Sequence, residues 1–305
     1  MRNQTVPRLS PATPRPLRHT LDRIAILNSS GHVSGARSHL TALLADQWRA
    51  AGIEVIELAG TRSFVEADLL FLNLSRPVVP EEYTRFAAQY PVTFNAGAMD
   101  LRKHRYADGL LQAGASYKGA VIVKADPAHA GQAVPDRVSL LRRLTGFHRT
   151  AEPREATAND NYHIYACIND VPAEKFAPGY IVQKFLPEES AGRYILRQYH
   201  FLGHEHFLSL QTSGAAIIRT SVPQSLEEWA PPQELLDLRA RLKLDYGRID
   251  FVEVDGKPFV ISVSRSPALP VSKEPGFVPP AYFRLAEALA DAMVDIYSTT
   301  EKAVF

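Results

Sequence analysis

The apolar residues in the first third of the chain alternate between strand-like runs and a helical pattern. A short apolar run covers residues 21–28, and residues 36–51 then repeat apolar side chains on one helical face, namely Leu40, Leu43, Leu44 and Trp48. Further patterns predict strands at 53–58, 69–72 and 92–94, with a helix at 81–89. Strands and helices in this order predict a small open α/β domain with a parallel sheet.

Period-two patterns are common in the remainder of the chain and predict antiparallel strands. Strands are expected at 120–124, 180–186, 192–203, 206–212 and 216–220. Helices are expected at 100–113, 137–145, 233–242 and 280–297. The last helix can pack through Phe283, Leu285, Leu289, Met293 and Ile296.

The stretch 242–267 predicts a β-hairpin. A strand over 248–254 is followed by Asp255 and Gly256, a pair typical of tight antiparallel turns, and then by a strand over 259–263. Because side chains alternate along a strand, two opposite faces are expected. One would carry Phe259, Ile261 and Val263, and the other Val260, Ser262 and Ser264.

A carboxylate, Asp250, interrupts the apolar part of this hairpin. One interpretation is an aspartate held by hydrogen bonds or by a salt bridge, with Arg248 or Arg265 as its partner. The other is a metal or phosphate site whose floor is the hairpin. The residues alone leave both interpretations open.

Polar residues follow three strands of the predicted parallel sheet. They are Asn28, Ser29 and Ser30 with His32, then Asn73 with Ser75 and Arg76, and finally Asn95. Parallel sheets bind ligands at the C-terminal ends of their strands. Each side chain could instead cap the helix that follows, so the pattern predicts either helix caps or a substrate pocket.

Basic side chains occur at positions that suit anions. Lys124 ends an apolar strand, where it could reach solvent or neutralise a phosphate beside the turn at 126–131. Arg193 and Arg197 lie four residues apart in one strand and therefore on one face. Their guanidinium groups suit phosphate or carboxylate, and cross-strand pairing with surface acids is the alternative.

Composition narrows the classes of protein to consider. The 305 residues are 46% hydrophobic and carry a formal net charge of +1, which provides no general attraction to nucleic acid or an anionic membrane. The single cysteine, Cys167, excludes an intramolecular disulfide and suits a reducing compartment. No apolar run reaches the roughly 18 residues of a membrane span. Residues 1–20 are expected to form a flexible basic tail, and the protein is expected in the cytoplasm.

Residues 246–251, with the sequence YGRIDF, and the strand after the turn resemble the closing hairpin of the ATP-grasp superfamily. The resemblance covers about residues 23–270 and includes the VIVK strand, the YIVQKFLP strand and the arginine strand. Bacterial ATP-grasp proteins with a V-I-V-K strand and a D-Y-G-x-x-D hairpin are particularly similar. The resemblance implies a small N-terminal α/β domain and a two-lobed ATP-grasp domain with antiparallel sheets, with boundaries at 21–98, 99–186 and 187–305.

The resemblance also implies roles for individual residues. ATP would contact the two phosphate lysines and the segment between the lobes, that is, Lys103, Lys124, Gln183, Lys184, Phe185, Leu186, Glu188 and Glu189. Arg197 would stabilise the transferring phosphoryl group, with Arg193 as a second catalytic candidate. Mg²⁺ would be bound by Asp250, Ser262 and Ser264, where the two serines replace the acidic residue and the asparagine of the family.

The activity implied by the resemblance is ATP-dependent ligation of a carboxylate to an amine or another nucleophile through an acyl phosphate. The second ligand would be a small carboxylate or a peptide, in a chain that could form homo-oligomers. The two serines and the glycine-poor loop after Lys124 favour an alternative, a catalytically impaired protein of this fold that acts as a binding or regulatory partner. A missing unit charge about 4 Å from a metal ion is worth on the order of 4 kcal/mol at an effective dielectric constant of about 20.

Overall fold

The computed structural model describes residues 21–29, 39–126, 162–218, 223, 225–270 and 277–302. The tail at 1–20 and the helix predicted at 137–145 lie outside these residues, as do Ser30 and His32. The helices are α1 (Leu40–Ala50), α2 (Glu81–Ala87), α3 (Gln233–Leu242) and α4 (Pro280–Lys302). None of the helices in the described part of the chain is long and apolar enough to cross a membrane.

The first sheet is parallel and has helices on both faces. Its strands are β1 (Arg23–Asn28), β2 (Glu54–Ala59), β3 (Leu69–Asn73) and β4 (Val92–Phe94), in the spatial order β2-β1-β3-β4. Ile24 and Phe71 pack in one core with α1 and α4, whereas Leu27 and Leu70 pack in a second core with α2. Burial of both faces explains the nearly continuous apolar runs, and the predicted open α/β unit is confirmed.

The helix α4 packs through a stripe that differs by one residue from the prediction. Leu285, Leu289 and Met293 are buried as expected, and Ile296 packs partly against the same core. Phe283 is 42% exposed, so its predicted place in the core is wrong. Tyr282, one position earlier and 1% exposed, is on the buried stripe instead, because one residue rotates the side-chain direction by about 100°.

The second sheet is antiparallel. It consists of β5 (Leu110–Leu111), β6 (Val121–Ala125), β7 (Tyr162–Tyr165) and β8 (Tyr180–Lys184), in the order β5-β8-β6-β7. The helix predicted at 100–113 is wrong, since a short 3-10 turn at Lys103–Arg105 leads into β5. Asp100 binds both the backbone N–H and the guanidinium of Arg102, and Lys103 donates to the carbonyl of Ala125. These contacts outweigh a modest local helix propensity.

The third sheet is also antiparallel and is the largest. It contains β9 (Glu188–Ser190), β10 (Arg193–Leu202), β11 (Glu205–Ser213), β12 (Ser225–Glu228), β13 (Tyr246–Val254) and β14 (Lys257–Ser264). The order is β12-β11-β10-β13-β14, and β9 pairs with β10. The strand predicted at 216–220 is not formed over 216–218, because β12 occupies the edge of β11; residues 219–220 lie outside the described chain.

The hairpin β13–β14 forms with a β-bulge that changes which side chains share a face. Asp255 and Gly256 have φ of 51° and 74°, as a tight turn between antiparallel strands requires. Asp250 pairs with Ser262, but the next residue, Phe251, pairs with Val260, so one residue of β14 is unpaired. The expected alternation is therefore wrong beyond the bulge, and Val260 and Val263 share one core.

Asn95 connects the first sheet to the start of β13. It is fully buried with φ of 61°, and its side-chain oxygen accepts the backbone N–H groups of Asp245 (2.9 Å) and Tyr246 (3.1 Å). Its amide donates to the carbonyl of Tyr246 (3.0 Å), and its own N–H donates to the Asp245 carboxylate (2.6 Å). Buried backbone groups depend on this one side chain, which therefore positions the third sheet.

We expect Asn95→Gly to destabilise the fold by about 3 kcal/mol, because it leaves buried backbone groups unpaired. Glycine tolerates the positive φ, so the change isolates the side-chain hydrogen bonds. Urea unfolding measures the loss. The exposed Asn169 provides a matched control, and Asn169→Ala should change stability by no more than about 0.5 kcal/mol. Equal stability of the two variants would contradict the assigned role.

Candidate functional site

A cavity of about 320 Å³ lies between the second and third sheets. It is lined by β6 and β8 on one side and by β10, β11, β13 and β14 on the other, with Tyr282 of α4 as a further contact. The volume is typical of sites for small molecules. Apolar residues form much of the wall, and the polar side chains in it include Lys124, Gln183, Gln198, Arg248, Asp250 and Ser262.

Lys124 reaches into the cavity from β6, where Gln183 of β8 holds it. The Lys124 ammonium donates to Oε1 of Gln183 at 2.7 Å. The amide nitrogen of Gln183 donates to the carbonyls of Asp108 (2.8 Å) and Val260 (3.1 Å), which orients its oxygen toward the lysine. Gln183 lines the cavity as the hydrogen-bond partner of Lys124, and its predicted contact with adenine stays a prediction.

Lys103 lies behind Lys124, outside the cavity lining. It is 3% exposed, and its Nζ donates to the carbonyl of Ala125 at 2.8 Å. Burial lowers the pKa of Lys103 to about 8, and attraction by Asp126 opposes the shift. Burial likewise lowers the pKa of Lys124 to about 7, with repulsion by Lys103 adding to the shift and attraction by Asp250 opposing it. The structure thus brings together Lys103, Lys124 and Asp250, which are far apart in sequence.

Asp250 forms a bidentate ion pair with Arg248, two residues earlier on the same face of β13. The Arg248 guanidinium approaches Oδ1 of Asp250 at 2.7 Å and donates to Oδ2 at 3.1 Å, and Gln198 also donates to Oδ1 at 3.2 Å. Both side chains are mostly buried. Burial alone would lower the pKa of Arg248, but the attraction of Asp250 outweighs it and the pKa is raised. Of the two interpretations of Asp250, the structure supports the salt bridge with Arg248.

Ser262 and Ser264 lie directly across the hairpin from this ion pair. Ser262 pairs with Asp250 and Ser264 with Arg248 in the ladder, which places both serines on the same face as the ions. Ser262 also hydrogen-bonds the buried hydroxyl of Tyr106, and burial raises the pKa of that tyrosine. The Ser264 hydroxyl accepts the N–H of Ser266 at 3.3 Å.

These residues do not fit a Mg²⁺ site. Mg²⁺ requires several oxygen ligands at about 2.1 Å in near-octahedral geometry. Both oxygens of Asp250 already accept hydrogen bonds from Arg248 and Gln198, and the guanidinium occupies the edge of the carboxylate from which both oxygens could chelate a cation. Within the described ranges, no group of three or more His, Cys, Asp or Glu side chains is close enough to hold a metal ion.

The two candidate catalytic arginines lie apart from the lysines. Arg193 is exposed and bonds to the side chain and carbonyl of Thr212, while Arg197 pairs with Glu188 at 2.7 Å and with Glu253 at 3.3 Å. The hydrogen bond that Arg197 donates to the carboxylate of Glu188 is the main reason that the pKa of Arg197 is raised. Neither arginine lines the cavity. Arg197 and Lys124 therefore do not line the same cavity, and β10 contributes Tyr194, Ile195, Leu196 and Gln198 to the lining instead.

Only some of the residues predicted to contact the nucleotide between the lobes line the cavity. Lys184, Phe185 and Leu186 line the cavity. Glu188, which was predicted to bind ribose, forms an ion pair with Arg197 and also accepts a hydrogen bond from the backbone N–H of Glu253 at 2.7 Å. Glu189 is exposed on β9. The acidic turn is thus a structural contact between β9, β10 and β13.

The cavity residues that sequence reasoning missed include Gln198, Gln211, Tyr282 and Arg248 as a lining residue. Gln198 accepts from Gln211 at 2.8 Å and donates to Asp250, so it connects β11 to the ion pair. The sequence did contain a signal for Gln198. It lies two residues from Leu196, on the same face of β10, and is polar inside an apolar run. No comparable signal marked Tyr282, which reaches the cavity from α4.

The polar strand ends of the first sheet form a hydrogen-bonded cluster outside the cavity. Asn73 donates to Asn28 at 2.7 Å and accepts from Thr41 and Ser266 at 3.0 and 2.5 Å. Asn95 belongs instead to the contact with β13. Ser75 contacts His39, and Arg76 is exposed. The described residues thus support a structural role for most of these side chains, and a substrate pocket at this edge stays a prediction.

Comparison with known proteins gives matches only at the level of structure. No family model and no curated protein sequence matches the chain. An ATP-grasp RimK domain protein from Sphaerobacter thermophilus is similar at 12% identity and a TM-score of 0.46, covering 90% of this chain and 98% of its own. A D-alanine–D-alanine ligase from Bacillus anthracis has 11% identity, a TM-score of 0.45 and coverages of 93% and 99%.

The D-cycloserine synthetase DcsG is similar at 14% identity and a TM-score of 0.48, with coverages of 90% and 99%. The arrangement of this chain is thus similar to that of ATP-grasp proteins. At these identities and TM-scores, the likeness does not extend to the substrate, activity or partners of this chain.

We expect Lys124→Met to change how stability depends on pH. Between about pH 7, the folded pKa of Lys124, and 10.5, its ordinary value, the unfolded chain binds the proton that the folded protein lacks. The contribution of Lys124 to the unfolding free energy therefore rises with pH across this window, by up to about 1.4 kcal/mol per pH unit, and is constant below it.

Urea unfolding at several pH values tests this expectation. The stability of the unmodified protein minus that of Lys124→Met should increase from about pH 7 toward pH 10. Lys118, exposed on the segment before β6, provides the matched control, and Lys118→Met should preserve the pH profile of the unmodified protein. A flat difference for Lys124→Met would mean that the ammonium is solvated in the folded protein.

Proposed function

We propose that the cavity binds ATP, with the adenine against its apolar wall and the phosphates toward Lys124. The observation that carries this proposal is that apolar side chains and positively charged side chains line different parts of the cavity. Phe185 is bonded through its N–H to Ala120, four residues from Lys124 along β6, a separation of about 13 Å. Phe185, Leu186 and Leu196 provide apolar surface for a base, while Lys124 and Arg248 provide positive charge for phosphates.

The charge balance of the cavity supports an anionic ligand. Lys124, Lys184 and Arg248 line the wall and Lys103 lies behind it near Asp126, whereas Asp250 is the carboxylate among the described lining residues. Buried cations without matching carboxylates are costly, and an anion of several charges would compensate them. The negative charges of the bound phosphates would favour the protonated form of Lys124. ATP binding should therefore take up protons above about pH 7.

Nucleotide binding without efficient phosphoryl transfer is the function that these residues support best. An ATP-dependent carboxylate–amine ligase is the second candidate. It is favoured by Lys103, Lys124 and Arg248, whose positive charges could stabilise leaving phosphates. The salt bridge that engages Asp250 and the placement of Arg197 outside the cavity argue against it. A small carboxylate or peptide as second ligand, and a cytoplasmic location, stay predictions.

Titration calorimetry with ATP tests the binding proposal. Lys124→Met should weaken ATP about tenfold or more, because a charge-assisted hydrogen bond to phosphate contributes about 1.5–3 kcal/mol. Leu196→Trp should block the apolar part of the cavity and abolish binding without changing any charge. Lys118→Met is the control and should keep the original affinity. Equal affinities for all of these proteins would place ATP elsewhere, and absence of binding would refute the proposal.

Release of ADP in the presence of pooled small carboxylates and amines separates the two candidates. Nucleotide binding without transfer predicts no ADP above the rate of the Lys124→Met variant. Release of ADP that depends on added carboxylate, and that Lys124→Met abolishes, would instead establish the ligase.

A further inference from the structure

Both oxygens of Asp250 are already engaged by neighbouring side chains. Its Oδ1 is shared by Arg248 and Gln198, and its Oδ2 is bonded to Arg248. The guanidinium is itself held from a third direction, since its Nη1 donates to the carbonyl of Ala268 at 3.4 Å. A metal ion chelated by both oxygens of Asp250 would have to displace an arginine that is held from several sides in a mostly buried position.

The neighbouring positions do not replace the lost ligand. Ser262 and Ser264 are neutral and lie on the same face as the ion pair, and Ser262 already bonds Tyr106. A divalent cation there would also lie close to the guanidinium of Arg248, whose charge repels it, and Lys124 lines the same cavity. The described part of the chain brings no other carboxylate into the cavity lining.

We infer that this cavity binds its nucleotide without a divalent metal ion, with the Arg248 guanidinium providing the positive charge at Asp250. The inference rests on the proposed ATP binding and deepens it. Arginine suits this role because its planar group can pair with a carboxylate on one edge and still present N–H donors on another. Metal-free ATP, which carries more negative charge than its magnesium complex, is then the preferred form of the ligand.

Titration calorimetry of the full-length protein tests this inference with ATP in EDTA and with ATP in excess Mg²⁺. Affinity in EDTA should equal or exceed affinity in Mg²⁺, and Mg²⁺ alone should give no binding heat. Binding that occurs only with Mg²⁺ would overturn the inference and leave the proposed ATP binding intact. Absence of binding in both conditions would overturn the proposed function itself.

The variant Asp250→Asn gives a second readout with an opposite sign for the two cases. It keeps the size of the side chain and removes the charge that a metal ion would need. If binding is metal-free, ATP in EDTA should bind more tightly, because Arg248 loses its carboxylate partner and the phosphates can compensate its charge. If a metal ion is required, the affinity in Mg²⁺ should fall at least tenfold, which would refute the inference. Arg85→Met, on the exposed side of α2, should keep the original affinity in both conditions.

Discussion

The salt bridge between Arg248 and Asp250 is the constraint on which the chemistry of the cavity depends. It places a fixed pair of opposite charges in the middle of a mostly buried hairpin. A buried pair of this kind contributes little net stability, but removing either partner leaves an uncompensated charge that is costly. Each of the two side chains therefore requires the other, and their combined charge limits which further ions can bind in the cavity.

The lysines complete an excess of positive charge around this pair. Gln183 gives Lys124 a neutral acceptor, and a backbone carbonyl does the same for Lys103. Neutral acceptors satisfy hydrogen bonds without cancelling charge, and for this reason burial lowers the pKa of both ammonium groups. A polyanion can compensate this excess, whereas a cation increases it. The electrostatics and the hydrogen bonding thus favour the same class of ligand.

Much of the fold was predictable from local patterns, because the strands of the first sheet and the longer strands of the other two carry apolar runs or strong alternation. The short strands β5, β7, β9 and β12 lack such a pattern and were not predicted. Placement of the site was predictable only where one strand and its neighbour determine it, as for Lys124 and the salt bridge at Asp250. The 3-10 turn at Lys103 was missed because contacts distant in sequence override helix propensity. The bulge in β14 and the outward direction of Arg197 depend on strand register, which the sequence pattern alone does not determine.

The contacts of Asn95 bear on how a ligand can enter the cleft. They join the first sheet to β13, so these two parts form a single rigid base. The second sheet meets this base at Val260, whose N–H and carbonyl bond Asp108 and Gln183. A few hydrogen bonds at one residue are easier to break than a continuous strand ladder. Widening of the cavity would therefore break hydrogen bonds at Val260 while leaving the ladders within each sheet intact.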